Sequence, residues 1–249
     1  MVMGVIEGQK VSTLYPELAG ARVLITGLES RQGVDIARAF AEHGCRLVLQ
    51  TPALDTALDV LLETLAREAG GVHITEGSIG DEEAALKCAQ AAAGVYGGLD
   101  AVVNLARLDE TGLDPEATSR EIEDRLASTL RGPLLITRVI AQRMHLTWRE
   151  GLILNIVTQR APRTPAAANL GRIARAALAA LTKREAQHWA DKSVRVNAIV
   201  PGIEGSCAPG EIEAGLISEP EIAALALRLA SARGKSLSGL VFDADLMNG

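Results

Sequence analysis

Few side chains in this 249-residue chain are spaced for chemistry, and the run that most suggests a ligand is Thr26-Gly27-Leu28-Glu29-Ser30-Arg31-Gln32-Gly33. It follows a short apolar stretch and leads into a helical pattern. A glycine turn at such a junction lets backbone amides approach an anion at a helix N-terminus, where the helix dipole favours negative charge. A degenerate turn of this kind is a weak signal by itself. The four histidines, His43, His73, His145 and His188, stand far apart, and none lies at a metal-ligand spacing from a Cys or a carboxylate. Cys45, Cys88 and Cys207 are an odd number without short spacing, which fits reduced thiols in a cytoplasmic protein better than a disulfide framework. The tyrosines are Tyr15 and Tyr96, and the residues four places on are Ala19 and Asp100. A phenol of pKa ~10 serves as an acid or base at neutral pH only beside a fixed cation, and neither tyrosine has one a helical turn later.

The elements that must position these residues follow from the apolar pattern. Short apolar runs at 23–26, 46–49, 72–75, 101–104, 152–157, 195–200 and 240–242 read as strands. Longer amphipathic segments at 33–43, 54–69, 82–96, 119–147, 173–190 and 219–232 read as helices. Strict alternation of the two implies βαβ units with right-handed crossovers. The expected architecture is α/β, a doubly wound parallel sheet of seven strands with helices on both faces. Residues 1–18 lack periodicity and read as an N-terminal arm; 19–249 form one domain, because no linker-like stretch or composition shift interrupts them.

Composition bounds the function classes. Hydrophobic residues make up 48% and charged residues 22%, an ordinary balance for a globular protein. The net charge is −6 and the Arg and Lys residues are scattered, which argues against a nucleic-acid partner. Apolar runs are broken, for example by Arg138, well short of the ~20 residues a membrane span needs, so no membrane is expected. Glu7 and Lys10 interrupt the N-terminal apolar stretch, which lacks the order of a signal peptide.

The 26–33 turn resembles the T-G-x-x-x-G-x-G turn of the short-chain dehydrogenase/reductase family. A stronger match is Arg195-Val196-Asn197-Ala198-Ile199-Val200-Pro201-Gly202, which resembles that family's sixth strand and the turn after it. Between them, Val102-Val103-Asn104-Leu105-Ala106-Arg107 stands where the family has L-V-N-N-A-G. The resemblance runs from about residue 18 to the C-terminus and implies a single Rossmann-like domain.

What it implies about chemistry is loss. Family members act through Asn, Ser, Tyr and Lys, and the gap-free match from the downstream anchor puts Thr129, Thr158, Gly171 and Arg175 at those places. Threonine keeps a hydroxyl. Arginine keeps charge without the compact ammonium. Glycine keeps nothing of the tyrosine, and no His, Cys or carboxylate lies near Gly171 in sequence. No catalytic residue is therefore expected. The nucleotide site is altered as well. Gly27 and Gly33 remain, but Arg31 replaces the middle glycine and Thr51 stands where an acid would grip the adenosine ribose. Ser78 replaces an adenine-contacting Asp, and Leu105 and Arg107 replace the Asn and Gly of the adenosine pocket. No bound dinucleotide, and no metal, is expected. The segment 203–219 is short for the family's pair of lid helices.

The resemblance without its chemistry implies a non-catalytic subunit that supports an active homologue in a heteromeric, NAD-dependent alcohol or hydroxyacyl-CoA dehydrogenase, two copies of each being the simplest closed assembly. The run 173–181 is small and apolar nearly all round, as suits a helix packed on its own sheet and on a neighbour. Two alternatives stay open: a ligand-sensing regulator on a dehydrogenase fold, and a diverged oxidoreductase with unusual catalytic residues.

Overall fold

In the computed structural model, which describes residues 14–28, 31–53, 56–159, 162–200 and 219–243, the strands and helices alternate as expected. The strands are β1 (Arg22–Thr26), β2 (Arg46–Thr51), β3 (Gly71–Glu76), β4 (Ala101–Arg107), β5 (Gly151–Thr158), β6 (Val194–Val200) and β7 (Val241–Asp243). The helices are α1 (Arg31–Glu42), α2 (Thr56–Glu68), α3 (Glu82–Val95), α4 (Ser119–Leu146), α5 (Pro165–Trp189) and α6 (Glu219–Ala230). All seven strands pair in parallel in the order β3-β2-β1-β4-β5-β6-β7. The order reverses between β1 and β4, which makes a crevice beyond their carboxyl ends.

Helices cover both faces, so the central strands are largely apolar, and every residue of β5 is buried. Alternation in β1 sends Val23 and Ile25 to one layer, with Ile36 and Phe40 of α1 and Leu65 of α2. Leu24 goes to the opposite layer, with Ala89 of α3 and Ile136 and Ile140 of α4. Small residues let these helices approach the sheet closely. Of the arm, the described residues 14–18 end in a turn of 3-10 helix (Pro16–Leu18), and Tyr15 and Leu18 are buried in the core. Among the described residues no helix is long and apolar enough to cross a membrane.

The largest departure from the sequence reading is the start of α5, eight residues before Ile173. Thr164 caps it, its side chain accepting a hydrogen bond from the Ala167 amide at 3.1 Å, and Pro165 takes the first helical position. A proline there removes only an N–H that would have no partner in the helix. Gly171 therefore sits inside a helix, not in a loop ahead of one. The 203–219 segment read as a shortened lid falls almost entirely outside the described residues.

At the amino ends of the strands, opposite the crevice, Asp100 ties the starts of β1 and β4. Its carboxylate accepts the Arg22 backbone N–H at 2.9 Å, the Arg22 Nε–H at 2.8 Å and an Arg22 Nη2–H. Burial would raise the Asp100 carboxyl, but the Arg22 hydrogen bonds and charge outweigh it and hold it below the ordinary carboxylate range. A depressed carboxyl contributes stability that is present above its unfolded-state value and is lost as pH falls through the folded one. Asp100→Asn is expected to cost about 1–2 kcal/mol at neutral pH, and the deficit relative to the parent should shrink below about pH 4. Urea melts of both proteins across that range check it.

Candidate functional site

A polar cluster anchors the floor of the crevice. Asn104, fully buried in β4, donates from Nδ2 to Asn155 Oδ1 of β5 at 2.9 Å, with the Pro133 carbonyl and the Thr137 hydroxyl of α4 each at 3.3 Å. Thr137 Oγ1 donates to Asn155 Oδ1 at 3.4 Å, and Thr26 Oγ1 at the end of β1 donates to Asn104 Oδ1 at 3.4 Å. These groups tie three strands to α4, and buried polar groups persist when partnered in this way.

Above that floor the turn after β1 bends through Gly27, whose φ of 72° is left-handed. A Cβ there would lie 2.5 Å from the Leu105 carbonyl oxygen, so only glycine fits, and Leu105 is itself buried. The Gly27 amide donates to Gln50 Oε1 at 3.1 Å, while Gln50 Nε2 donates to the Gly77 carbonyl at 2.7 Å. Gln50 thus bridges the loops after β1 and β3 with a buried amide. Gly33 is buried in the first turn of α1. Arg31 opens that helix, but its side chain lies outside the described residues, as do residues 29 and 30.

A cleft of about 280 Å³ extends from Gln50, Ser78 and Leu105 to Thr129 and Thr158. Among the described residues, its groups do not supply the acid at the end of β2 that a dinucleotide's adenosine ribose would need. The end of β2 offers neutral Thr51, whose hydroxyl donates to the Ala53 carbonyl at 2.8 Å. Ser78 Oγ accepts the Gly80 amide at 3.1 Å. Arg107 is exposed at the end of β4, paired in register with Thr158. Among the described lining residues the one carboxylate is Asp109. Hydrogen bonds from Thr111, with Arg125 Nη1 at 2.8 Å, hold it below the ordinary range, so it is an anion at neutral pH and no proton donor. Thr129, half-buried on α4, donates its hydroxyl proton to the Arg125 carbonyl at 3.0 Å.

The space beside Gly171 is filled from elsewhere. Gln159, one residue past β5, is 8% exposed and lies against Gly171: a Cβ on Gly171 would stand 1.9 Å from Gln159 Oε1 and 2.7 Å from its Cδ. Gln159 Nε2 donates to Glu110 Oε1 at 2.6 Å and to the Ala167 carbonyl at 2.9 Å. Both partners are acceptors, which fixes the orientation of the amide. The gap left between Val157, Gln159, Gly171 and Arg175 is about 10 Å³, at the lower limit for one water.

The structure thus brings Thr129 and Thr158 to one cleft and Gly171 and Arg175 to the tight space beside it. Glu110 is the carboxylate that sequence proximity to Gly171 did not reveal, and Gln50 and Gln159 were equally invisible as site residues. The available signal was Gly171 itself: a glycine inside a helix-forming run asks what crowds it. Among the described residues no three His, Cys, Asp or Glu side chains gather as a metal site requires.

The comparisons agree with the architecture. The family described as Enoyl-(Acyl carrier protein) reductase matches residues 31–214. A galactitol 2-dehydrogenase (L-tagatose-forming) of Cereibacter sphaeroides is 30% identical, covering 92% of this chain and 94% of its own. A D-threitol dehydrogenase of Mycolicibacterium smegmatis is 27% identical, covering 91% and 92%. Among solved structures, a short chain dehydrogenase from Mycobacterium smegmatis superposes with a TM-score of 0.75 at 25% identity, covering 91% of this chain and 92% of that one.

Two outcomes follow from this geometry. Titration calorimetry with NAD and with NADP at millimolar concentration is expected to give no heat beyond dilution, and micromolar binding would overturn the fit argument. Gly171→Tyr and Arg175→Lys, combined with Gln159→Ala to make room for the phenol, are expected to return no cofactor-dependent turnover, because catalytic groups act as a unit and partial repair restores little.

Proposed function

This chain belongs to the short-chain dehydrogenase/reductase family, and we propose that it is a non-catalytic member acting as a structural subunit beside an active homologue. The observation that supports this most is Gly171 within α5, with the Gln159 amide filling the volume where the family's acid/base would stand. Thr129, Thr158 and Arg175 complete a set that supplies no proton donor matched to a reacting hydroxyl. The unfitted nucleotide cleft points the same way, since no hydride carrier would be held. The active homologue would bind NAD and carry out the oxidation of an alcohol or a hydroxyacyl-CoA. The two-subunit 2-[hydroxy(phenyl)methyl]succinyl-CoA dehydrogenase of anaerobic toluene degradation has such an arrangement, and in our reading this chain is similar to its inactive subunit.

The surface of α5 is compatible with that role. Ala174 and Leu178 are buried against the chain's own sheet, while Ile173, Ala176 and Ala180 are exposed on the other side of the helix. Small exposed side chains let a second helix approach closely, and these three are exposed among the described residues. A symmetric complex with two copies of each subunit would bury it.

A second reading has one observation in its favour. Glu110 places a half-buried carboxylate 2.6 Å from Gln159, next to the Gly171 position, and curated relatives are named as polyol dehydrogenases. In a diverged oxidoreductase Glu110 would serve as the base for a substrate hydroxyl. Assay of the purified chain with galactitol and threitol and either nicotinamide cofactor separates the two readings: turnover that Glu110→Gln abolishes would establish the second.

The assembly is the sharper test of the first. The chain should co-purify from its host with an intact homologue, and native mass measurement should show two copies of each. Ala180→Arg should split that complex and lower the partner's activity while leaving the circular dichroism of this chain unchanged. A monomer, or a homo-oligomer beside a fully competent lone homologue, would refute the subunit role.

A further inference from the structure

We propose that Gln159 is a built-in plug, fastened by Glu110 and the Ala167 carbonyl, that fills the former acid/base position and closes the pocket against any carbonyl or alcohol substrate. It deepens the non-catalytic reading and rests on it: the site is closed by packing as well as stripped of reactive groups.

The case is one of volume and hydrogen bonding. Gln159 follows the last residue of β5, so its backbone is fixed by the Thr158 pairing with β4. Its amide reaches across to α5 and stops where a side chain at 171 would begin, 1.9 Å from an ideal Cβ. The far end of a long side chain can usually swing away from such a clash at little cost. Here it cannot do so freely, because leaving breaks the hydrogen bonds at 2.6 and 2.9 Å and empties a nearly waterless space. Glu110 belongs to the segment between β4 and α4, so the same amide joins that segment to the first turns of α5.

Gly171 is the reciprocal evidence. A glycine within a 25-residue helix otherwise rich in alanine is a local liability, since alanine is the better helix former. Its left-handed freedom is not used, because it is not among the positive-φ glycines. What it provides is the missing Cβ, and the group that exploits the absence is Gln159. Gly171 and Gln159 are two halves of one packing solution.

This gives a test whose sign is inverted relative to the ordinary rule. At an unobstructed helical site Gly→Ala raises the melting temperature. In this protein Gly171→Ala is expected to lower it by several degrees, because the methyl group evicts the amide. In a Gln159→Ala background the same substitution should raise it, giving a large coupling in the double-mutant cycle. Gly171→Tyr should be accumulated as folded protein only together with Gln159→Ala or Gln159→Gly, and failure of Gly171→Tyr alone to fold is itself the expected result. Glu110→Gln, which replaces the carboxylate acceptor, should weaken the coupling without abolishing it. If Gly171→Ala stabilises the parent as much as it does the Gln159→Ala variant, the plug is refuted. These melts involve no turnover, so they stand apart from the co-purification and activity measurements that decide whether the chain is non-catalytic.

Discussion

The polar contact among Thr26, Asn104, Thr137 and Asn155 is the constraint around which the centre of this molecule is arranged. It lies where the strand order reverses, and at that point the ends of β1 and β4 part to leave a crevice. Amide and hydroxyl groups placed in so apolar a layer are tolerated because each finds a partner, and the partners come from three strands and α4 at once. The registers of β1, β4 and β5 and the seat of α4 are thereby coupled. Everything that rims the crevice, from Gly27 to Thr158, takes its position from this floor.

Above the floor the rim makes internal bonds where a binding site would offer free ones. Gln50 takes the Gly27 amide, Thr51 turns to Ala53, Ser78 to Gly80 and Thr129 to Arg125. Each is a modest local bond, and each turns a described polar group toward the protein's own backbone, whereas recognition of a polar ligand depends on groups held ready for it. Beside Gly171, which has no side chain of its own, the Gln159 amide from just past β5 fills the space. A fold can keep its packing density while exchanging which residue supplies the volume.

The outward side of α5 carries the remaining functional interest. A helix that buries Ala174 and Leu178 inward while showing Ile173, Ala176 and Ala180 to solvent has little to gain from that pattern alone. It suits close contact with another helix, where small side chains permit short interaxial distances. A subunit retained for shape would be maintained through such surfaces after its pocket had been filled.

The sequence by itself determined the alternation of strand and helix, the parallel sheet, the family resemblance and the absence of a Tyr-x-x-x-Lys pair, because these depend on local periodicity and on residue identity. It missed the first eight residues of α5, since Pro165 and Gly171 resemble helix breakers until the Thr164 cap and the N1 position are known. Only the tertiary structure decided what lies against Gly171 and Gly27. Gln159 meets Glu110 across 49 residues of chain and meets Gly171 through a helix packing on a strand, while Gln50 reaches Gly27 and Gly77 from a neighbouring strand. No periodicity announces such pairs. Which side chain occupies a shared volume is settled by competition among segments brought together by the fold, so residue identity can be read along the chain, whereas the neighbour that fills the space beside a glycine appears only in the fold.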